Sequence, residues 1–68
     1  KMKKETENKV IKLIRNKEKP TTAIASILGR NYYDAIKILE ELEEKNKITK
    51  ITLGHYTFWK AKKKYQKN

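Results

Sequence analysis

An α+β chain, three helices followed by a two-stranded β-hairpin, is what this sequence predicts, and three observations carry the prediction. Apolar residues recur at helical spacing in three separate stretches ahead of Asn46. Pro20 and Gly29 separate those stretches at points where helices stop. After Asn46 the period changes, and β-branched and aromatic residues gather on either side of Gly54. At 68 residues there is room for one domain with a modest core, which must rely on good helix packing or a partner.

Lys1 to Lys4 makes a charged end, and the first helix is expected over roughly Glu5 to Asn16. Val10, Leu13 and Ile14 fall at i, i+3 and i+4 with Ile11 beside them, which turns Lys9, Lys12 and Arg15 outward. The run Asn16-Lys17-Glu18-Lys19-Pro20 breaks the helix, because a proline biases the residue before it away from helical geometry. Thr21 or Thr22 can then cap a short second helix carrying Ile24, Ala25, Ile27 and Leu28. Gly29 follows at once, where left-handed backbone stops a helix at no steric cost. Asn31 is a strong N-cap, and Asp34 falls three residues on, where a carboxylate favours the free amides of a first turn. The third helix runs to about Lys45 with the clearest amphipathic stripe of the chain, Ala35, Ile38, Leu39 and Leu42. Asn46 ends it. Ile48-Thr49-Lys50-Ile51-Thr52-Leu53 and Tyr56-Thr57-Phe58-Trp59 then read as strands joined by a turn at Gly54. The domain therefore covers residues 5–61, and residues 62–68 read as a basic tail.

Eighteen basic residues against eight acidic ones give a net charge of +10, and the distribution says more than the sum. From Lys45 to Asn68 there are eight lysines and no acid. From Tyr33 to Glu44 there are five acids (Asp34, Glu40, Glu41, Glu43, Glu44) and one base, Lys37. Segregation of this kind points to an anionic partner. Enrichment in lysine, glutamate and isoleucine also suits a thermophile. The lack of cysteine removes disulfides and thiolate metal sites, and a single histidine, His55, leaves no imidazole cluster. No cofactor or metal is expected. No nucleophile–base pair or phosphate loop suggests an enzyme or a small-molecule substrate. No apolar run approaches the ~20 residues of a membrane span, and no signal peptide is visible, so no membrane partner and a cytoplasmic location are expected.

Thr21-Thr22-Ala23-Ile24-Ala25-Ser26-Ile27-Leu28-Gly29 resembles the first helix and turn of the helix-turn-helix motif. That motif packs two helices steeply through a very short turn. The close approach needs a small side chain, here Ala25, and the turn needs positive φ, here Gly29. Ile24 and Leu28 bracket Ala25, to be met by Ile38 and Leu39 of the next helix. The stretch from Ala35 to Ile48 is similar to the recognition helix and first wing strand of winged-helix regulators. A Leu-x-x-Leu-x-x-x-x-x-Ile ending recurs there, matched by Leu39, Leu42 and Ile48. The resemblance extends over about Asn8 to Ala61 and is closest in flavour to compact archaeal chromosomal, plasmid or viral regulators. It implies a winged helix-turn-helix fold and a non-enzymatic DNA-binding protein, lying on the nucleoid or, if viral, in the host cytoplasm.

In that family the first turns of the third helix enter the major groove while the hairpin lies along the backbone or minor groove. The resemblance therefore implies contacts from Arg30, Asn31, Tyr32, Tyr33, Ile36 and Lys37. It adds Thr21 and Thr22 at the start of the second helix, and Lys50, His55, Lys60, Lys62 and Lys63 in the wing and tail, with Lys64 and Lys67 beyond. Asn31 either caps the helix or pairs with a base, and the cap is favoured because Asn is among the best N-caps. Two adjacent tyrosines cannot both enter the core. At least one of Tyr32 and Tyr33 is thus expected outside, where it can bond a phosphate or press on a thymine methyl, while the other can pack beneath the first helix. Lys37, one turn beyond Tyr33, suits a base edge or phosphate, and Arg30 a phosphate. Glu40, Glu41, Glu43 and Glu44 would repel phosphates, so only the N-terminal turns are expected to insert. The wing lysines supply salt-sensitive, sequence-independent affinity, or else simply protect an edge strand. His55 is an exposed turn residue able to touch the backbone.

Winged helices that bind left-handed Z-DNA also carry a Trp-Lys pair in the last strand, matched by Trp59-Lys60. The likeness fails on the third helix, where Ile36 and Glu40 stand in place of an asparagine and a tyrosine. Trp59 is instead expected to lie as a lid over the helix faces, with Phe58 or Tyr56 on the other side of the strand. The function expected is sequence-specific binding of double-stranded DNA in transcriptional regulation, by a monomer or weak homodimer. Two other readings keep the fold: a low-specificity chromatin or RNA binder, and a protein-interaction winged helix using the acidic third helix and paired tyrosines.

Overall fold

A computed structural model of the chain describes residues 4–63. Its elements are α1 (Lys4–Ile14), β1 (Lys19–Pro20), α2 (Thr21–Leu28), α3 (Tyr32–Glu44), β2 (Ile48–Leu53) and β3 (Tyr56–Ala61). Three helices and an antiparallel sheet ordered β1-β3-β2 give the layout of a winged helix-turn-helix. No helix among the described residues is long and apolar enough to cross a membrane.

Helix α1 buries Glu7, Val10, Ile11 and Ile14, an i, i+3, i+4, i+7 stripe. Its centre is therefore Ile14, fully buried like Val10, with Leu13 half-buried at the margin, and a carboxylate occupies the first turn of the stripe. The helix ends at Ile14, two residues short of the expected Asn16.

The largest departure from expectation is β1. The sheet has three strands where the sequence predicts a two-stranded hairpin, because Lys19 and Pro20 pair with Trp59 and Phe58 of β3. Extended backbone is what a residue before proline prefers. A proline is tolerated on an edge strand because its missing N–H breaks no ladder bond there. Two residues are too few for any period to reveal. Pro20, at φ −72° and ψ 157°, also takes the N-cap position of α2 and offers no capping side chain. The cap expected from Thr21 or Thr22 is therefore not made.

Helices α2 and α3 end on the same backbone closure. Gly29, at φ 68°, lets its own N–H reach Ser26 O at 3.1 Å and the N–H of Arg30 reach Ala25 O at 3.0 Å. Asn46, at φ 62°, does likewise for α3, with bonds to Glu43 O at 2.9 Å and from Lys47 N to Leu42 O at 3.1 Å. Asparagine tolerates left-handed backbone better than most residues, which explains the stop there. The start of α3 is capped as expected: Asn31 Oδ1 accepts from Asp34 N at 2.8 Å.

Strands β2 and β3 pair from Ile48–Ala61 to Leu53–Tyr56 around a two-residue turn, Gly54-His55. Gly54, at φ 61°, supplies the positive φ that tight hairpin turns require. The ladder runs one bond further, from Lys62 N to Lys47 O at 3.0 Å, so the start of the expected tail still belongs to the sheet. Residues 64–68 of that tail lie outside the described residues. Strand alternation puts Ile48, Trp59 and Ala61 on the face toward the helices. There they join Val10, Ile11, Ile14, Ile24, Leu39 and Leu42 in one core, with Leu13, Leu28 and Ile38 at its edge. Ala25 and Ala35 are both buried where α2 and α3 cross, small enough for the backbones to approach closely.

Candidate nucleic-acid interface

The Arg30 to Lys37 segment forms an exposed ridge along the first turns of α3. Arg30, Asn31, Tyr32, Tyr33 and Lys37 are all solvent-exposed, and Ile36 is half-buried between them and the core. Tyr33 is 75% exposed and Tyr32 44%, and their rings meet edge to face at 5.6 Å between centroids. Neither tucks beneath α1. The edge-to-face contact lets each ring steady the other while both residues stay exposed. Asn31 commits both ends of its amide to Asp34, accepting from its backbone and donating from Nδ2 to Oδ2 at 3.3 Å. Its role is thus the cap, and the same pair of bonds turns the Asp34 carboxylate back along the helix start.

Of the two threonines proposed at the start of α2, Thr22 is exposed and Thr21 is not. Thr21 is only 3% accessible. Its hydroxyl accepts from Trp59 Nε1 at 2.7 Å and donates to Thr57 O at 3.3 Å. A buried indole N–H needs a partner, and Thr21 is the one supplied. Thr21 is therefore corrected from a DNA-contact candidate to a buried tie between α2 and β3. Trp59, 1% accessible, is the expected lid. Tyr56 and Phe58 lie on the opposite face of β3, Phe58 half-buried and Tyr56 67% exposed.

The lysines of the C-terminal third divide into two groups. Lys45 and Lys47 turn back to Glu7, a buried carboxylate of α1. Lys47 Nζ donates to Glu7 Oε2, and Lys45 Nζ lies 3.7 Å from Glu7 Oε1 and 3.4 Å from Glu41 Oε2. The hydrogen bond from Lys47, aided by the charges of Lys47, Lys45 and Lys4, holds the Glu7 carboxyl below its usual pKa against the opposing effect of burial. The acidic half of α3 is thereby tied down at Glu41, away from the tyrosine ridge. Lys50, Lys60, Lys62 and Lys63 make up the second group, in the wing and just after it, with no acid among residues 48–63. Lys50 and Lys63 are exposed, while Lys60 and Lys62 are half-buried. Lys50 stands opposite Trp59 in the ladder and holds its ammonium 5.8 Å from the ring centroid, within cation–π range. His55 is exposed at the turn.

Sequence reasoning passed over Glu7 and the bond of Thr21 to Trp59. Glu7 lies three and four residues before Val10 and Ile11, so its spacing alone put it on the buried stripe. The signal for Thr21 was the demand of a lone buried indole for an acceptor. Among the described residues no group of three His, Cys, Asp or Glu stands together for a metal. Neither a family model, nor a curated protein, nor a solved structure matches this chain.

Proposed function

We propose that this chain binds double-stranded DNA in a sequence-dependent way and acts as a small transcriptional regulator. The observation that supports it is the pairing of two surfaces. A capped helix start presents Arg30, Tyr32, Tyr33 and Lys37, and the wing carries lysines with no acid. Asp34, the one acid in the first turn of α3, is bonded to Asn31, and the four glutamates lie further along the helix, with Glu41 paired to Lys45. On this reading the first two turns of α3 enter the major groove, Tyr33 and Lys37 meet base edges, and Arg30 holds a phosphate. Lys50, Lys60 and Lys63 neutralise phosphates and provide affinity that does not depend on sequence.

Selection of bound duplexes from a random pool tests this. Tyr33→Ala or Lys37→Ala is expected to change the selected sequence, while Lys60→Ala weakens all sequences alike and lowers the salt dependence by about one counterion. Equal losses from all three with no change of preference would rule out base reading by α3.

A further inference from the structure

The wing ends in an apolar tip. Leu53 and Tyr56, the last pair of the β2–β3 ladder, flank the turn and are 61% and 67% exposed. Alternation places them on the sheet face away from Trp59, together with Ile51 and Phe58, the next pair on that face, and Pro20 beside Phe58. Ile51, Phe58 and Pro20 are half-buried, so apolar surface runs from the tip down that face. Leu53 and Tyr56 stand at the far end of a two-stranded projection and add nothing to the core. Large apolar groups held out in this way mark a contact surface.

Charge decides what the surface fits. Residues 48–63 carry Lys50, Lys60, Lys62 and Lys63 and no acid. A second copy docked by the same face would set Lys60, the strand lysine on this face, against its counterpart with no carboxylate from residues 48–63 to offset them. A duplex offers phosphates for the lysines and sugar walls and base steps for the tip. The minor groove, about 6 Å wide, does not admit a two-stranded ribbon, which needs the major groove's ~12 Å. Side chains projecting from one face of a tip can enter it.

We propose that Leu53 and Tyr56 form a wedge that enters the minor groove, partly unstacks a base step and bends the duplex. The proposal rests on the DNA-binding reading above. Apolar wedges of this kind kink DNA by roughly 20–90° toward the major groove. Sequence preference would then come partly from how easily a step deforms, with flexible pyrimidine–purine steps favoured under the tip.

The test uses a selected duplex with a dye at each end and 2-aminopurine at successive central steps, titrated with wild type and with Leu53→Ser/Tyr56→Ser. Both side chains are mostly exposed, so the fold does not depend on them, and circular dichroism checks that the variant is intact. Wild type is expected to shorten the end-to-end distance and to raise 2-aminopurine fluorescence at one step. The double variant is expected to lose both signals and roughly tenfold in affinity, about 1.4 kcal/mol. Wild type binding without a bend, with the double variant binding equally well, overturns the wedge and leaves DNA binding standing. No duplex binding by wild type overturns both. A wild-type dimer without DNA that the double variant abolishes assigns the face to a second copy and overturns the wedge.

Discussion

Trp59 is the largest fully buried side chain, and its indole N–H goes into the core with it. Thr21 Oγ1 takes that hydrogen and passes its own to Thr57 O, so one hydroxyl satisfies two buried groups on β3. Thr21→Val keeps the shape and removes both bonds, leaving the indole N–H unpaired. Its urea midpoint should fall by the equivalent of about 1–3 kcal/mol, and a drop of only a few tenths would show that water reaches the indole instead. Glu7 poses a different question, because its carboxylate is buried but paired with Lys47 and Lys45. Its folded pKa lies below its unfolded value, about 4.3, so its contribution is fully present above that pH. The contribution is lost as pH falls through the lower, folded value. Melting temperatures of wild type and Glu7→Gln should therefore differ most at neutral pH and converge as pH falls through that lower value. A gap independent of pH would mean that the ion pair is not the source.

At the scale of elements, backbone stops do much of the organising. Gly29 and Asn46 end α2 and α3 through identical bonds, and each fixes the direction of the chain that follows. A Cβ at Gly29 would meet nothing within 4 Å, so Gly29→Ala isolates the cost of left-handed backbone. That cost is about 1–2 kcal/mol, readable as a shift of the urea midpoint with an unchanged slope. A neutral result would show that the turn rearranges. These stops were legible in the sequence because glycine and asparagine carry their conformational preference with them. The stripe of α3 was legible for a related reason, since Ala35, Leu39 and Leu42 repeat at helical spacing. Strand β1 was not, because its existence depends on Trp59 and Phe58 arriving some forty residues later. Thr21 was misassigned as a cap for the same cause: its partner is distant in sequence, and Pro20 had already taken the cap position.

At the scale of the whole molecule, charge is sorted by the fold more finely than by the sequence. A count from Lys45 onward gives lysines alone, yet Lys45 and Lys47 belong to α1's carboxylate, while Lys50 and Lys63 are exposed and Lys60 and Lys62 half-buried in a stretch without acid. The candidate interface was therefore half legible: which helix presents it, and that the glutamates crowd the far half of that helix. The division of the lysines, and the apolar tip at Leu53 and Tyr56, required the register of the hairpin and the burial of Glu7. The two exposed surfaces, α3's first turns and the wing, belong to elements packed on one core, in which Trp59 ties β3 to the start of α2.

Titration of a selected duplex into ¹⁵N-labelled chain, followed by amide chemical shifts, tests the placement most directly. Binding by the α3 ridge and wing predicts the largest shifts at Arg30 to Lys37, at Leu53 to Tyr56 and around Lys60, with Lys9 and Lys12 on the outer face of α1 unmoved. Shifts centred on Lys9 and Lys12, with Tyr33 and Lys37 unchanged at saturation, would contradict it.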